Sequence, residues 1–367
     1  MAERALRIEP VDDSRIGPLP EELGFGRLFT ARMFTQRFTP ERGWHDAVIG
    51  PYRPLSLDPA ALPFHCGQMV FDGTKAYLRA DGDVNLFRIE RNMERFNRSA
   101  ERLSMPGVDA VFHARAIEEL VRLERAWVPQ QAGSALYIRP VMIASDPSLL
   151  VRASRTYLHY VVLSPVSPYF AGGFRPVSVL IADQHVRAAL GGTGEAKTPA
   201  NYAVTLYPIE RAIAQGYDQA LFLDAAQRRY IEEAGAMNVA FVYEGKRIRT
   251  PALSGTILHG VTRDSILRLA LDLGYEVVED AIEVGEVLRD VERGTVTEAF
   301  NMGTGAVLVP VERLGYRGHD YVVGAGRAGP IAQRLHQALT DIQYGRAPDP
   351  YGWTRRVSLQ PAAAAVV

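Results

Sequence analysis

The sequence predicts a two-domain α/β protein, and three observations lead there. The chain has 367 residues, about two domains' worth on a soft prior of one per 100–200 residues. From Pro176 onward, short apolar runs of strand type alternate with segments of helical period. Between the halves, Pro165 to Phe174 holds Pro165, Pro168, Gly172 and Gly173 and reads as an interdomain linker. Residues 1–164 are therefore expected to form a smaller α+β domain and residues 175–367 a larger one.

Composition removes several function classes. The chain is 47% hydrophobic and 23% charged, an ordinary globular mixture. A formal net charge of −1 gives no support to nucleic-acid or membrane-surface binding. Cys66 is the single cysteine, so neither a disulfide framework nor a cysteine metal cluster is expected. The eight histidines are scattered, with no pair at ligand spacing and no H-E-x-x-H, so no metal is expected. The first residues lack the apolar core of a signal peptide, and no run is apolar and long enough to span a bilayer. A cytoplasmic protein is expected.

The elements follow in order. The first 26 or so residues, rich in Pro and Asp, are expected to wrap the surface, and Phe25 to Ile49 suggests hairpins. Phe64 to Ala76 reads as a turn, a short helix and a return into a strand at Tyr77-Leu78. Asp81-Gly82-Asp83 is a hairpin signal. Ile89, Met93, Phe96, Ala100 and Leu103 share one helical face, and Pro106 closes that helix. A second helix runs from about Ala110 to Trp127. Strands Ala135–Ala144 and Leu158–Leu163 follow.

In the second half a strand at 176–182 precedes a helix from Asn201 to Gln215, stopped by Gly216. Next come a strand Ala220–Asp224 and a hairpin of Met237–Tyr243 with Arg247–Thr250. Leu258 to Gly274 reads as a helix with a Thr or Asp start and a Gly stop. A strand Tyr275–Val278, a helix near Ile282–Arg293 and a strand Ala299–Pro310 broken by Gly303-Thr304-Gly305 complete the pattern, before a last helix at Ile331–Gln343.

The loop Gly191 to Tyr202 carries the sharpest chemistry. Lys197 sits on it between apolar elements, either as a solvated loop lysine or as an amine nucleophile able to form a Schiff base. Gly260-Val261-Thr262 opens a helix, where backbone N–H groups and the helix dipole favour a phosphate. Gly303-Thr304-Gly305 allows close backbone approach. Lysine, phosphate site and Gly-Thr-Gly loop together suggest pyridoxal phosphate, whose ring nitrogen wants a carboxylate. Glu232 and Glu233 both offer one. Gly324-Ala-Gly-Arg-Ala-Gly329 fits G-x-G-x-x-G, but no βαβ unit with a following acid surrounds it, so it reads as a tight loop feeding a helix.

The collinear segments Phe64–Tyr77, Asn85–Pro106, Leu136–Pro147, Ser164–Phe170, Gly191–Tyr202, Tyr230–Asn238, Leu258–Leu267 and Leu339–Arg346 resemble the branched-chain amino acid aminotransferases, pyridoxal phosphate enzymes of fold type IV. The resemblance covers about Phe25 to Trp353. It implies a larger domain built on a β-barrel-like sheet and ping-pong transfer of an amino group from an apolar L-amino acid to 2-oxoglutarate. It implies that Lys197 binds the cofactor and shuttles the proton, that Tyr202 bonds the ring oxygen, and that Glu233 pairs with the pyridine nitrogen. Arg95, Val261, Thr262 and Thr304 would hold the phosphate. Phe25, Phe71, Tyr137, Arg139 and Tyr169 would wall the substrate pocket, with Cys66, Ala236 and Gly305 at further substrate positions. The loop Asp146 to Val151 would reach into a partner subunit's site, implying a homodimer.

Four departures from the family pattern stand out. Cys66 replaces a usual tyrosine, Asp72 a glutamate, Ala236 a threonine, and Asn301-Met302 a Gly-Thr pair. They leave open a transaminase for a different amino donor. A reading from another class, a nucleotide-binding oxidoreductase using residues 324–329, also stays open on the sequence alone.

Overall fold

The computed structural model describes residues 5–12, 19–168 and 174–358. The chain forms two units, Met1–Tyr169 with Asp341–Val367, and Phe170–Thr340.

The first unit is built on a 9-stranded sheet. Its strands lie in the order Arg7–Ile8, Gly43–Pro51, Arg32–Thr39, Tyr157–Val166, Ala135–Ala144, Thr74–Leu78, Val84–Phe87 and Thr354–Val357, with Met69–Phe71 also paired to Ala135–Ala144. The two-residue period of a strand sorts the faces. Leu136, Ile138, Met142 and Ala144 enter the hydrophobic core, and Tyr137 and Arg139 point away from it. Two helices cover the core face. Ile89–Arg102 contributes Ile89, Met93, Phe96 and Ala100. Ala110–Leu123 contributes Ile117, Leu120 and Val121, and the Asp109 carboxylate caps it by accepting from the N–H groups of Val111 and Phe112.

The expected domain boundary needs one correction. Residues from Asp341 onward, expected with the second domain, belong to the first unit. Thr354–Val357 pairs antiparallel with Val84–Phe87, from Thr354 opposite Phe87 to Val357 opposite Val84. The strand is only four residues long and carries Arg355 and Arg356, so its alternation is too short and too polar to show as a strand signal. The linker expected at 165–174 falls partly on residues 169–173, outside the described residues.

The second unit holds another 9-stranded sheet. The strands Val177–Ala182, Gln219–Leu223, Ile231–Ala234, Met237–Tyr243, Val296–Gly303 and Val307–Tyr316 pair in a ring and close a six-stranded barrel. The barrel-like sheet expected for the larger domain is therefore present. Val177, Val179, Leu221, Val239, Phe241 and Val309 fill one core with Val284, Val287 and Val291 from the helix Val284–Glu292.

Three local outcomes bear on function. The helix expected from Leu258 begins at Val261, because Gly260 is extended (φ −66°, ψ 121°) and forms its N-cap without a side-chain bond. The strand expected to break at residues 303–305 is a hairpin, with Gly303 opposite Val307. The Gly324–Gly329 loop feeds the helix Pro330–Gln343. There Glu298 accepts from the N–H groups of Ile331 (2.9 Å) and Ala332 (2.8 Å). A Cβ at Gly329 would overlap that carboxylate. An acid already fills the helix N-terminus, which leaves no place for a dinucleotide phosphate.

Candidate active site

In the second unit, the lysine loop is held from both ends. The Asn201 side chain is buried and donates to the carbonyls of Thr193 (2.6 Å) and Ala196 (2.7 Å). Its Oδ1 accepts from the Thr193 hydroxyl at 2.8 Å. Lys197 follows, and its Nζ donates to the Tyr202 hydroxyl at 2.8 Å. Tyr202 lies in the first turn of the helix Ala200–Ala214. Sequence proximity alone thus delivers the lysine–tyrosine pair.

The acid comes from elsewhere in the chain. Strand alternation puts Glu232 and Glu233 on opposite faces of Ile231–Ala234. Glu233 is 3% exposed. Its Oε1 accepts from Asn238 Nδ2 (2.9 Å) and from the Leu258 N–H (3.0 Å), and its Oε2 lies 3.1 Å from Arg187 Nε. Burial pushes the Glu233 carboxyl above its ordinary range, while Arg187, the Leu258 N–H, Lys197 and Arg263 act against that rise. Glu232 instead accepts from the Thr256 hydroxyl at 2.5 Å.

Arg187 is the residue that sequence reasoning missed. Besides Glu233, it donates to the carbonyl of Gly194 (3.2 Å) and to that of Thr256. It thereby ties the lysine loop, the acid and the 254–256 segment together. Nothing in its local sequence marks it, because Glu233 and Thr256 are distant in the chain.

The groups expected to hold a phosphate in this unit start from the same asparagine. Asn238 also donates to the Leu258 carbonyl (3.1 Å), just before Gly260 and the helix Val261–Asp272. A Cβ at Gly260 would overlap the Asn238 Oδ1, so only glycine lets the chain pass there. Val261 and Thr262 open the helix, where a helix offers N–H groups and positive dipole. Thr304 and Gly305 form the turn after Gly303, and a Cβ at Gly303 would stand 3.0 Å from Met237 Cγ. Ala236 precedes Met237 at an exposed turn. Glycine loop, Ala236 turn, acid and helix start thus issue from adjoining strand ends.

In the first unit, four of the residues expected to wall a substrate pocket, Phe25, Phe71, Tyr137 and Arg139, lie in contact with one another. The Phe25 and Tyr137 rings meet edge-on at 5.3 Å. Arg139 donates to the Tyr137 hydroxyl at 2.9 Å and lies 4.8 Å from the Phe71 ring centroid. A Cβ at Gly73 would overlap the Tyr137 hydroxyl. Tyr169 lies outside the described residues. Cys66 ends the short helix Pro63–Cys66, is exposed, and donates its thiol to the Leu62 carbonyl at 3.3 Å.

Arg95 is 4% exposed and forms a two-pronged pair with Asp72, Nε to Oδ2 at 2.9 Å and Nη2 to Oδ1 at 2.7 Å. Asn92 adds a bond to Asp72 Oδ1 at 2.8 Å. The planar fork of arginine suits a carboxylate in this way. Asp72, a departure at the sequence level, is therefore the anchor of Arg95.

Comparison with known proteins agrees with this chemistry. A family model described as amino-transferase class IV matches residues 69–314. The chain is 47% identical over 341 residues to branched-chain-amino-acid transaminase 1 of Bacillus subtilis, covering 93% of this chain and 96% of that protein. It is 46% identical over 345 residues to a probable branched-chain-amino-acid aminotransferase of Streptomyces coelicolor, covering 94% and 95%. The solved branched-chain amino acid aminotransferase of T.th. with pyridoxamine 5'-phosphate superposes with a TM-score of 0.73 at 27% identity, covering 90% of this chain and 99% of that one. The same enzyme complexed with N-(5'-phosphopyridoxyl)-L-glutamate gives 0.71 at 26% identity, again covering 90% and 99%. With the lysine loop, the buried acid and the barrel already in place, these matches make the chain a member of the class IV aminotransferases, in the branched-chain amino acid aminotransferase family.

Proposed function

We propose that this protein is a pyridoxal phosphate-dependent transaminase that moves the amino group of a branched-chain L-amino acid to 2-oxoglutarate, giving the 2-oxo acid and L-glutamate. One arrangement carries the assignment: Lys197 Nζ bonds the Tyr202 hydroxyl on a loop that Arg187 ties, through the Gly194 carbonyl, to the buried Glu233. The residues present fit the cofactor. A lysine amine suits its aldehyde, a glycine-opened helix start its phosphate, and a buried carboxylate its ring nitrogen.

When bound, pyridoxal phosphate supplies an electron-accepting ring that stabilises negative charge at the substrate Cα. The protein does the rest. Lys197 Nζ holds the cofactor and then moves the proton at the substrate Cα. Tyr202 orients that amine and would bond the ring oxygen of the bound cofactor. Arg187, Asn238 and the Leu258 N–H fix Glu233, which would pair with the ring nitrogen of the bound cofactor. Val261, Thr262 and Thr304 would hold the phosphate, and the family resemblance gives Arg95 the same role. Phe25, Phe71 and Tyr137 receive an apolar side chain and exclude water from it, and Arg139 receives a distal carboxylate.

A homodimer is part of the proposal. Leu149, Leu150 and Val151 are 73%, 67% and 85% exposed in one short loop. Three consecutive exposed apolar residues favour a protein partner over open water. A cytoplasmic setting fits the absence, among the described residues, of any helix long and apolar enough to cross a membrane.

The test is a coupled assay of the purified protein reconstituted with pyridoxal phosphate. Leucine, isoleucine and valine should each generate glutamate from 2-oxoglutarate. Activity with another amino acid and none with these three would move the substrate assignment to a different donor.

A further inference from the structure

Lys75 is a buried cation that the proposed mechanism leaves unused. It lies in the strand Thr74–Leu78 and is 4% exposed. Ala76 beside it enters the hydrophobic core, so Lys75 points to the opposite face of the sheet. Register decides its neighbours. Lys75 stands opposite Tyr137, and Tyr137 stands opposite Ser164. Arg139 lies two residues along the same face and bonds the Tyr137 hydroxyl at 2.9 Å. A polar row thus crosses the aromatic wall. Ser164 is 4% exposed, and its buried hydroxyl has no hydrogen-bond partner among the described residues.

We infer that Lys75 is a specificity-determining residue, which with Arg139 and the Ser164 hydroxyl receives the distal carboxylate of the dicarboxylic substrate. This rests on the transaminase reading above, which requires one pocket to take an apolar side chain and a carboxylate in alternation. A lysine suits that alternation better than a second arginine. Burial pulls the Lys75 amine down to about 8, so an arriving carboxylate favours its charged form, and an apolar side chain leaves an amine that sheds its proton readily. Arginine cannot discharge in this way.

The test uses full-length holoenzyme of the wild type, Lys75→Met, Lys75→Arg and Ser164→Ala. Each is titrated with L-glutamate and separately with L-leucine, following the absorbance of the bound cofactor. Lys75→Met should raise the half-saturation for glutamate by about tenfold more than that for leucine, the change expected for one lost charge contact. Lys75→Arg should hold glutamate within about threefold of wild type and weaken leucine more than that, because a guanidinium cannot shed its charge for an apolar side chain. An equal shift for both amino acids, or no shift, overturns the assignment. Ser164→Ala keeps the question decidable if Lys75→Met does not fold: it should weaken glutamate by about threefold more than leucine, as one hydrogen bond would, and an unchanged ratio overturns the assignment. A wild type that responds to neither amino acid overturns the transaminase reading itself, and this inference with it.

Discussion

Lys197 Nζ lies 2.8 Å from the hydroxyl of Tyr202, five residues further along the chain. The spacing is a product of local folding. The loop ends at Pro199, the helix Ala200–Ala214 begins, and Asn201 pins the loop carbonyls behind the lysine. The pair therefore survives as a unit wherever this short segment folds.

Tyr202→Phe removes one hydrogen bond to the Lys197 amine and the proposed bond to the ring oxygen, each worth about 0.5–1.5 kcal/mol. The turnover number should fall by about tenfold to a hundredfold, with the protein still coloured by its cofactor. Steady-state kinetics beside an absorbance spectrum separate the two readouts. A colourless Tyr202→Phe protein would mean that the hydroxyl serves cofactor retention rather than the amine.

Arg187→Met leaves Glu233 buried without its guanidinium partner. Breaking a buried pair in this way costs about 3–5 kcal/mol. Urea unfolding of the apoprotein should show that loss, and titration with pyridoxal phosphate should show weaker binding. Arg187→Lys should recover little, since one ammonium cannot reproduce bonds to Glu233, Gly194 and Thr256 together. Unchanged urea midpoints in both variants would remove Arg187 from the account.

Gly260→Ala places a methyl group against Asn238 Oδ1. Asn238 must then shift from Glu233 and from the Leu258 carbonyl. The cofactor dissociation constant should rise by about tenfold, equivalent to about 1.4 kcal/mol. The backbone itself is unstrained, as φ is −66° at this residue, so any effect comes from the displaced side chain. Fluorescence titration of the apoprotein measures it.

Much of this was legible beforehand. Elements with clear period were found close to their observed bounds, as with Ile89–Arg102 and the hairpin of Met237–Tyr243 with Arg247–Pro251. Lys197 and the helix start at Val261 stand out because each lies in a local signal of glycine, proline or cap, whereas Tyr202 comes only with the family resemblance. Arg187, Lys75 and Ser164 do not stand out, because their meaning comes from strand register and from partners remote in sequence. Thr354–Val357 was missed for a related reason: only pairing with Val84–Phe87 makes that arginine-bearing segment a strand.

His159 sets an acid limit on the first unit. Its ring is fully buried, lies 4.6 Å from the ring of His113, and bonds the Val141 carbonyl through Nδ1 at 2.8 Å. Burial, with His113 beside it, holds its pKa well below the ordinary 6.5. The unfolded chain therefore takes up a proton near 6.5 while the folded chain does not. Stability from this residue is complete above that pH and declines below it, by about 1.4 kcal/mol per pH unit. Urea unfolding at pH 7 and pH 5 should show wild type losing about 2 kcal/mol more than His159→Phe. Parallel losses in the two proteins would assign the acid sensitivity elsewhere.

On the proposed function, Lys197 carries pyridoxal phosphate, and both a branched-chain amino acid and glutamate react there. Absorbance of the purified, reconstituted protein tests it most directly, in the wild type and in Lys197→Ala, before and after L-leucine and then L-glutamate. Wild type should be yellow and lose the colour with either amino acid. Lys197→Ala should fold, lack that band and lose transamination by at least about 10³-fold. A Lys197→Ala protein that keeps wild-type activity, or a wild type with no yellow band after incubation with the cofactor, would contradict the account.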